Sequence, residues 1–293
     1  MVKRKYRRSA FPLWAVLLLA VLLALYFFFQ PPQESPLGEL PPNEIRVHFI
    51  DVGQGDCAAV ESADGNILID AGTPECEGDL LEYLEENGLT EFVYAIFTHP
   101  HSDHIGSAAA VLNACKVERV LLGNGVSTGS IYKKLLQTID KGGQKVSLAK
   151  PGDEISLGKM KIEIFAPVTT YEDLNNSSIV FRLSYGDFSV LFTGDAEKEA
   201  ETDILRTGAD ISADVLKVGH HGSSSSTSEK FLKAVAPKLA VISLAEDNSY
   251  GHPHKEVLRR LSKYGVEVLR TDERGSIVLT TNGSQIEVYT EKE

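Results

Sequence analysis

Three histidines and an aspartate stand within six positions of one another, directly after an apolar run, in the stretch FTHPHSDHIGS that begins at Phe97. His99 and His101 lie two apart at the end of a predicted strand, so both imidazoles can face one ion. Asp103 and His104, beyond a tight turn, can face a second ion. A lone histidine in a loop is usually a solvated surface group. This combination of residue types and spacing instead predicts a metal site.

Seven of the eight histidines of the chain fall into three such clusters. The second cluster is His220 and His221 in LKVGHHGSSSS, and the third is His252 and His254 in YGHPHKEV. Each cluster comes just after a predicted β-strand. Because ligand sites in layered α/β folds gather at strand ends, we expect the three clusters to meet in one place.

A Gly-Asp pair ends another predicted strand, Phe188–Phe192. Two ions about 3.5–4 Å apart need an anion between them, and we assign that bridging role to Asp195. Gly194 beside it permits a close approach of the backbone. The pair and the first histidine cluster together predict a site for two ions.

From Glu44 onward, short β-type runs alternate with segments whose apolar residues recur about every 3.6 positions. The turn sequences Gly186-Asp187 and Asn282-Gly283 predict hairpins. Strands in bursts with helices between them indicate a layered α/β domain, in which sheets pack on each other and helices cover the outside.

The N-terminal part carries a different signal. Residues 1–10 form a basic tail, and residues 11–29 (FPLWAVLLLAVLLALYFFF) contain no charge. This run is close to the roughly 20 residues that span a bilayer. A cleaved signal peptide is the less favoured alternative, because the run is long and does not end in a small-residue cleavage site. The positive-inside rule then predicts a single-pass protein of the cell membrane with a cytoplasmic N-terminus and an extracytoplasmic catalytic domain.

Residues 30–43 (QPPQESPLGELPPN) contain five prolines and predict a semi-rigid linker, so we expect the folded domain to span residues 44–293. The formal net charge is −12, and without the five basic residues of the tail the remainder carries about −17. Such an acidic body does not attract polyanions by charge alone, although bound divalent ions would reverse the sign locally. The three cysteines, at positions 57, 76 and 115, are interpreted as small buried residues, with one disulfide left open.

These motifs resemble the signature of the metallo-β-lactamase superfamily. More narrowly, six stretches resemble the metallo-β-lactamase domain of the ComEC/Rec2 family of DNA-uptake (competence) proteins: FIDVGQGDCAAVE, ILIDAGT, FTHPHSDHIGS, NNSSIVFRLSYGDFSVLFTGDA, ADVLKVGHHGSSSS and YGHPHKEVLRRL. The resemblance covers nearly all of residues 45–289, but not the channel of that family, since a single helix stands in place of many membrane spans. It implies a four-layer αββα sandwich with a two-metal hydrolytic site.

The resemblance also implies a ligand set. One ion would be held by His99, His101 and Asp195, and the other by Asp103, His104, Asp195 and His220. Most members have a further histidine in the loop before the Gly-Asp hairpin, where this chain reads LNNSS. Asn176 can offer an amide oxygen or hold a water there. We therefore expect the first ion to bind weakly, and an oxygen-rich shell favours Mn²⁺ over Zn²⁺.

Two histidine clusters leave roles to assign. His220 is preferred to His221 as the last ligand, because neighbours on an extended segment face opposite ways. His252 is assigned a catalytic role together with Asp103; it would protonate a leaving alkoxide, contact a phosphate, or serve as the last ligand instead. His254 remains open between such a role and a helix-entry position.

A further group of polar residues is predicted to contact the substrate: Asp51, Gln54, Asn176, His221 and Ser223. Serine hydroxyls beside the metal ligands can donate hydrogen bonds to an anion. Asp70, which ends another strand, is expected to be structural, because turn carboxylates usually accept hydrogen bonds from the backbone.

These residues predict a metal-dependent hydrolase with two divalent ions, Zn²⁺ or Mn²⁺, and no organic cofactor. A bridging water that loses its proton near neutral pH and attacks in line suits phosphodiester cleavage. We therefore expect a phosphodiesterase, most specifically a nuclease acting on DNA outside the membrane. The alternatives are a cell-envelope phosphodiesterase similar to phosphorylcholine esterases and a non-catalytic, tethered partner of a DNA-uptake channel. Lactam hydrolysis is not expected, since fold does not determine substrate.

Overall fold

The computed structural model describes residues 37–293, together with Leu18, Leu19 and Val21. Among these residues there is no helix with the length and apolar character that a membrane crossing requires. The predicted basic tail, nearly all of the predicted anchor at 11–29 and the first part of the predicted linker lie outside the described residues.

The strands of residues 37–293 are β1 (Ile45–Phe49), β2 (Ala58–Ser62), β3 (Ile67–Ile69), β4 (Glu91–Phe97), β5 (Lys116–Leu122), β6 (Lys145–Leu148), β7 (Glu154–Leu157), β8 (Met160–Ala166), β9 (Val180–Tyr185), β10 (Phe188–Phe192), β11 (Val215–Lys217), β12 (Leu239–Ile242), β13 (Glu267–Arg270), β14 (Ile277–Thr281) and β15 (Ile286–Thr290). The helices of this range are α1 (Glu77–Glu86), α2 (Ser102–Ile105), α3 (Ala108–Ala114), α4 (Ser130–Gly142), α5 (Lys198–Thr207), α6 (Glu229–Val235), α7 (Lys255–Lys263) and α8 (Thr271–Arg274).

The strands form two sheets, in the orders β15-β14-β1-β2-β3-β4-β5-β6 and β13-β12-β11-β10-β9-β8-β7. Their facing sides share one apolar core, since side chains alternate along a strand. Phe192 lies at its centre and stacks on Phe49 of the first sheet and Phe181 of its own sheet, with ring centroids 5.9 Å and 5.0 Å away. The two sheets therefore pack face to face, as the alternating pattern predicts.

Helices cover the outer face of each sheet. Leu80 of α1, Val111 of α3 and Ile139 of α4 pack into the core outside the first sheet. Ile204 of α5 and Leu261 of α7 do the same on the second sheet. The result is the predicted αββα arrangement, and both predicted hairpins, β9–β10 and β14–β15, are present as antiparallel pairs.

The structure adds two strands that the sequence pattern did not reveal. β6 and β7 lie at the edges of the two sheets, where β6 is exposed along its whole length. Edge strands bury little apolar surface, so they lack the run of apolar residues that marks a central strand. The three cysteines are free: Cys57 and Cys76 are buried and Cys115 is half-buried.

The short helix α2 ends at Ile105 and is separated from α3 by Gly106 and Ser107. A Cβ atom on Gly106 would lie 2.3 Å from the backbone nitrogen of Pro74. The close approach brings the short helix α2, which carries Asp103 and His104, against the loop after β3. Glycine is required there because any side chain would push the two segments apart.

The topology places the ends of several strands at one edge. β10, β11 and β12 run parallel to one another in the second sheet, as do β3, β4 and β5 in the first. The loops that leave β4, β10, β11 and β12 carry the three histidine clusters and Asp195. Their convergence is a consequence of this parallel arrangement.

Candidate metal centre

The three histidine clusters meet at this edge of the sandwich. The ring centroid of His104 lies 4.1 Å from that of His99 and 5.4 Å from that of His221. His252 lies 6.5 Å from His221 and 4.9 Å from His254. The eighth histidine, His48, is buried elsewhere, and its Nδ1 lies 2.9 Å from the Tyr83 hydroxyl.

One group of ligand-type side chains consists of His99, His101 and Asp195, whose candidate ligand atoms all lie within 4.8 Å of one another. Nε2 of His99 is 3.0 Å from Nδ1 of His101 and 3.8 Å from Oδ2 of Asp195. His99 and Asp195 are buried, whereas His101 is half-buried. Burial and the neighbouring His104 lower the pKa of His99 well below its ordinary value, so its imidazole is neutral and suited to bind a cation.

A second group consists of Asp103, His104, Asp195 and His221. Nε2 of His221 lies 3.3 Å from Oδ2 of Asp103 and 3.7 Å from Oδ1 of Asp195. Asp195 belongs to both groups, with one carboxylate oxygen toward each. This is the position predicted for a bridging ligand.

The polar atoms of the second group fit a cation. Nδ1 of His104 lies 2.8 Å from Oδ2 of Asp70, so that nitrogen is engaged and Nε2 is the atom left to bind a cation once its own proton is displaced. Nε2 faces Oδ1 of Asp195 at 3.2 Å, and neither atom has a hydrogen-bond partner among the described residues. Ligands bound at 2.0–2.2 Å to one ion are themselves about 3.0–3.4 Å apart at octahedral or tetrahedral angles. The observed spacing therefore fits two ligands of a single divalent ion.

Asp70 accepts hydrogen bonds from its own side of the fold, as predicted, and also orients the His104 ring. Its Oδ1 accepts a hydrogen bond from the backbone N–H of Thr98, and its Oδ2 accepts one from the Thr98 hydroxyl. The same carboxylate holds His104 in the orientation described above. Burial opposes protonation of His104, but Asp195 and Asp70 outweigh it and raise the pKa of His104 well above its ordinary value.

His221 is held by a buried ion pair. Its Nδ1 lies 2.9 Å from the carbonyl oxygen of Ser243 and 3.3 Å from Oδ1 of Asp56. The same Asp56 oxygen lies 2.8 Å from Nζ of Lys217, and both charged side chains are buried. Burial opposes protonation of His221, but Asp195 and Asp56 raise its pKa to about 10. Sequence analysis assigned no role to Asp56 or Lys217, whose pairing depends on the fold.

The second group contains His221 rather than His220, which was preferred as its ligand on the premise of an extended segment. His220 and His221 do not lie on an extended segment: their φ angles are 50° and 51°, in the left-handed region. His221 is consequently turned inward and buried, while His220 stays half-exposed with its Nδ1 3.1 Å from Oε1 of Glu197. Nε2 of His220 still lies 3.8 Å from Oδ2 of Asp195, on the side of the first group.

The structure engages Asn176 away from the two ligand groups. Its Oδ1 accepts hydrogen bonds from the backbone N–H groups of Glu197 and Ala200, at the start of α5. The amide oxygen is therefore committed to the helix. Ser178 lies nearer the centre, with its hydroxyl 3.2 Å from Nδ1 of His99 and accepting the backbone N–H of Asp195.

Three other residues were predicted to bind substrate, and the structure places each of them in a hydrogen bond within the protein. Ser223 lies on the loop after His221, with its hydroxyl 2.8 Å from that of Ser225. Gln54 accepts a hydrogen bond from the backbone N–H of Ala245 and so braces the loop after β12. Asp51 belongs to neither ligand group; it accepts a hydrogen bond from the N–H of Gly53 within its own turn, which is the structural role of a turn carboxylate.

The two remaining histidines frame the opening. His254 accepts a hydrogen bond at Nδ1 from the backbone N–H of Ser224 and precedes α7, which supports the helix-entry reading. His252 lies between His220 and His254, with ring centroids 5.7 Å and 4.9 Å away. Burial together with the neighbouring His221 and His220 lowers the pKa of His252 to about 4, so the ring is neutral at pH 7.

Comparison with known proteins agrees with this architecture. The sequence model of the metallo-beta-lactamase superfamily matches residues 50–246. The chain is 35% identical to ComE operon protein 3 of Bacillus subtilis over 254 residues, which covers 80% of this chain and 33% of the relative. It is 31% identical to Recombination protein 2 of Haemophilus influenzae over 250 residues, covering 83% and 30%. The chain thus spans about a third of the length of these relatives.

A solved structure supports the fold. The metallo-beta-lactamase fold protein YhfI from Bacillus subtilis superimposes with a TM-score of 0.56 at 15% identity, covering 81% of this chain and all of that protein. The family match spans more than half of the chain and includes both ligand groups up to His221. The chain therefore belongs to the metallo-β-lactamase superfamily, has its metal-dependent hydrolase fold, and is related to the ComEC-type competence proteins.

Proposed function

We propose that this chain is a two-metal phosphodiesterase, most specifically a nuclease that acts on DNA. The observation that carries the proposal is that Asp195 is shared by two groups of metal-ligand side chains. Paired ions bridged by an anion are the arrangement that catalyses in-line displacement at phosphorus. DNA is the favoured substrate because one relative named above is called Recombination protein 2, and another relative, from Neisseria gonorrhoeae, is called Competence protein ComA.

The ligands of the proposed ions follow from the two groups. His99, His101 and Asp195 would hold one ion, and Asp103, His104, Asp195 and His221 would hold the other, with Zn²⁺ and Mn²⁺ as the candidates. When bound, such ions lower the pKa of water and offset charge on the phosphate oxygens. Asp70 and Asp56 keep the Nε2 atoms of His104 and His221 aimed at the centre.

Asp103 and His252 would have different roles toward water and substrate. Burial opposes ionisation of Asp103, but its hydrogen bond with His221 and the neighbouring His104 lower its pKa to about 2. Its ionised side chain is 31% exposed and can accept a hydrogen bond from water and so orient it. His252, neutral at pH 7, is suited to donate a hydrogen bond to a phosphate oxygen rather than to act as a strong acid.

The proposed cellular location is the outer side of the cell membrane, with residues 11–29 as anchor and a DNA-uptake channel as partner. The described end of the linker is held at the start of β1, where the Arg46 guanidinium donates hydrogen bonds to the carbonyls of Leu37 and Gly38. β1 runs in the same direction as β4, whose far end carries the metal site. An anchored domain would therefore open its site away from the bilayer.

The acidic body favours a second candidate, an envelope phosphodiesterase acting on small phosphodiesters, since affinity for DNA usually needs a basic surface. The two are separated by giving the purified full-length chain, loaded with Mn²⁺ or Zn²⁺, either single-stranded DNA or bis(p-nitrophenyl) phosphate. Cleavage of DNA that is lost in Asp103→Ala supports the nuclease. Turnover of the small ester alone would favour the second candidate, and two bound ions without turnover of either would favour a non-catalytic partner.

A further inference from the structure

A large aromatic side chain stands exposed beside the metal centre. Tyr250, in the loop after β12, is 66% exposed. Its ring stacks on His252, with centroids 5.6 Å apart and planes 21° apart. His252 in turn lies 6.5 Å from His221 with planes 28° apart. The three rings form a nearly parallel series that leads from the second ligand group outward.

The loop that carries Tyr250 is braced. The side chain of Asn248 donates hydrogen bonds to the carbonyl oxygens of Ala245 and His252 and accepts one from the backbone N–H of His252. The loop is also tied to the turn after β1 by the hydrogen bond between the N–H of Ala245 and Gln54. Tyr250 is therefore presented on a fixed framework, which lowers the entropy cost of binding a flat ligand.

The charges around the opening indicate what this ring would bind. Lys217 is buried against Asp56, and Arg270 is paired with Asp272 and Glu273. The Arg260 guanidinium donates hydrogen bonds to backbone carbonyls of the loop after His221. These three cations are thus committed within the protein, so we expect contacts that need no charge to contribute to binding a nucleic acid. Stacking of a base on an aromatic ring is such a contact, and it tolerates any sequence.

We propose that Tyr250 is a stacking platform for a base of single-stranded nucleic acid, close to the nucleotide whose phosphate enters the metal centre. This inference rests on the proposed nuclease function and names the form of its substrate. A duplex keeps its bases stacked on one another, so the free face of Tyr250 is accessible only to an unpaired base. His252 sets the angle of the platform and links it to the site.

The test compares a single-stranded oligonucleotide with an abasic oligonucleotide of the same length, using the full-length chain loaded with Mn²⁺. Tyr250→Ala is expected to raise KM for the base-bearing strand about tenfold, with kcat little changed, because stacking is lost. Tyr250→Phe should behave as the unmodified chain. On the abasic strand, the unmodified chain and Tyr250→Ala should have the same KM. Tyr289→Ala, which removes an exposed aromatic ring from β15, is the matched control and should change nothing.

An equal KM for Tyr250→Ala and the unmodified chain on the base-bearing strand would overturn the proposal, and so would an equal rise on both strands. If neither strand is cleaved, the proposed nuclease function is wrong. The stacking role of Tyr250 is then tested by measuring the affinity for each strand. Fluorescence anisotropy with the metal-loaded chain should then give about tenfold tighter binding of the base-bearing strand, and Tyr250→Ala should remove that difference. Equal affinity for the two strands overturns the platform independently of catalysis.

Discussion

Nε2 of His104 lies 3.2 Å from Oδ1 of Asp195, and both residues are buried. Nδ1 of His104 is already engaged by Asp70, so it cannot relieve the contact. A buried pair of acceptors is unfavourable unless a proton or a cation lies between them. Metal binding, protonation and the orientation of these rings are therefore linked, and several measurable consequences follow from that linkage.

Replacing His221 should have a larger effect than replacing its neighbour. His221→Ala removes a buried ligand of the second group, and we expect its affinity for one ion to fall by more than about 100-fold, with loss of turnover. His220→Ala should keep that ion, because the ring of His220 is half-exposed and lies toward Glu197. Metal content after dialysis, measured by mass spectrometry, distinguishes them. Loss of the ion in His220→Ala with retention in His221→Ala would reverse the assignment.

Asp70→Asn should weaken metal binding without removing a ligand. The amide keeps the shape of the side chain but no longer offers His104 a full negative charge. We expect about a 10- to 100-fold loss in affinity for one ion, as is typical when the partner of a metal-bound histidine is changed. Asp140→Asn, at an exposed position of α4, is the control. Calorimetric titration with Mn²⁺ gives the affinities, and equal values for the two variants would contradict the orienting role.

Metal binding should release protons. Asp195 and Asp56, against the effect of burial, raise the pKa of His221 to about 10 in the metal-free chain, so at pH 7 an ion has to displace its proton. Apparent affinity should then rise with pH above pH 7, by up to about tenfold per unit for each proton displaced, and the raised pKa of His104 adds a second such proton. Titrations in buffers of different ionisation enthalpy measure the protons released. An affinity that does not change with pH would show that His221 is not a ligand.

From the raised pKa of His221 we also predict how the stability of the metal-free chain depends on pH. Because the folded pKa of His221 lies above its unfolded value, the contribution of its protonated form is fully present below about pH 6.5. It is lost as the pH rises toward 10. Urea unfolding of the metal-free chain should show this decline, and His221→Gln should reduce it. A decline of the same size in the variant would exclude His221 as the cause.

Lys217→Met should destabilise the fold strongly. Lys217 and Asp56 are a buried ion pair at 2.8 Å, so removing the cation leaves the carboxylate buried with only His221 as a charged partner. The expected cost is about 3–5 kcal/mol in the free energy of unfolding. The double variant Lys217→Met with Asp56→Asn removes both charges and should recover part of that loss. Urea unfolding measures both, and a double variant less stable than the single one would contradict the charge argument.

Gly106→Ala tests the contact that positions α2. The added Cβ would lie 2.3 Å from the nitrogen of Pro74, so the backbone has to move, and we expect a loss of about 1–3 kcal/mol or more. Gly78→Ala, in α1, meets no atom within 4 Å and should stabilise the chain by up to about 1 kcal/mol. Thermal unfolding of both variants checks the signs, which should be opposite.

Much of the site could be predicted from short-range sequence features. Ligand types spaced as in His99-x-His101-x-Asp103-His104 are a property of neighbouring residues, as is the alternation that predicts sheets and helices. The weakly marked elements were β6 and β7, since edge strands bury too little surface to require apolar residues.

The sequence pattern of neighbouring residues was sufficient to predict packed sheets and to single out the histidine clusters and Asp195 as candidate metal ligands. Strand periodicity and ligand spacing are both properties of residues close together in the sequence. Only the tertiary structure shows which of His220 and His221 is turned inward to join the second ligand group, through left-handed backbone angles at both residues. It also committed the Asn176 amide to α5 and paired Lys217 with Asp56. Those outcomes depend on contacts between segments far apart in sequence, and such contacts have no local signature.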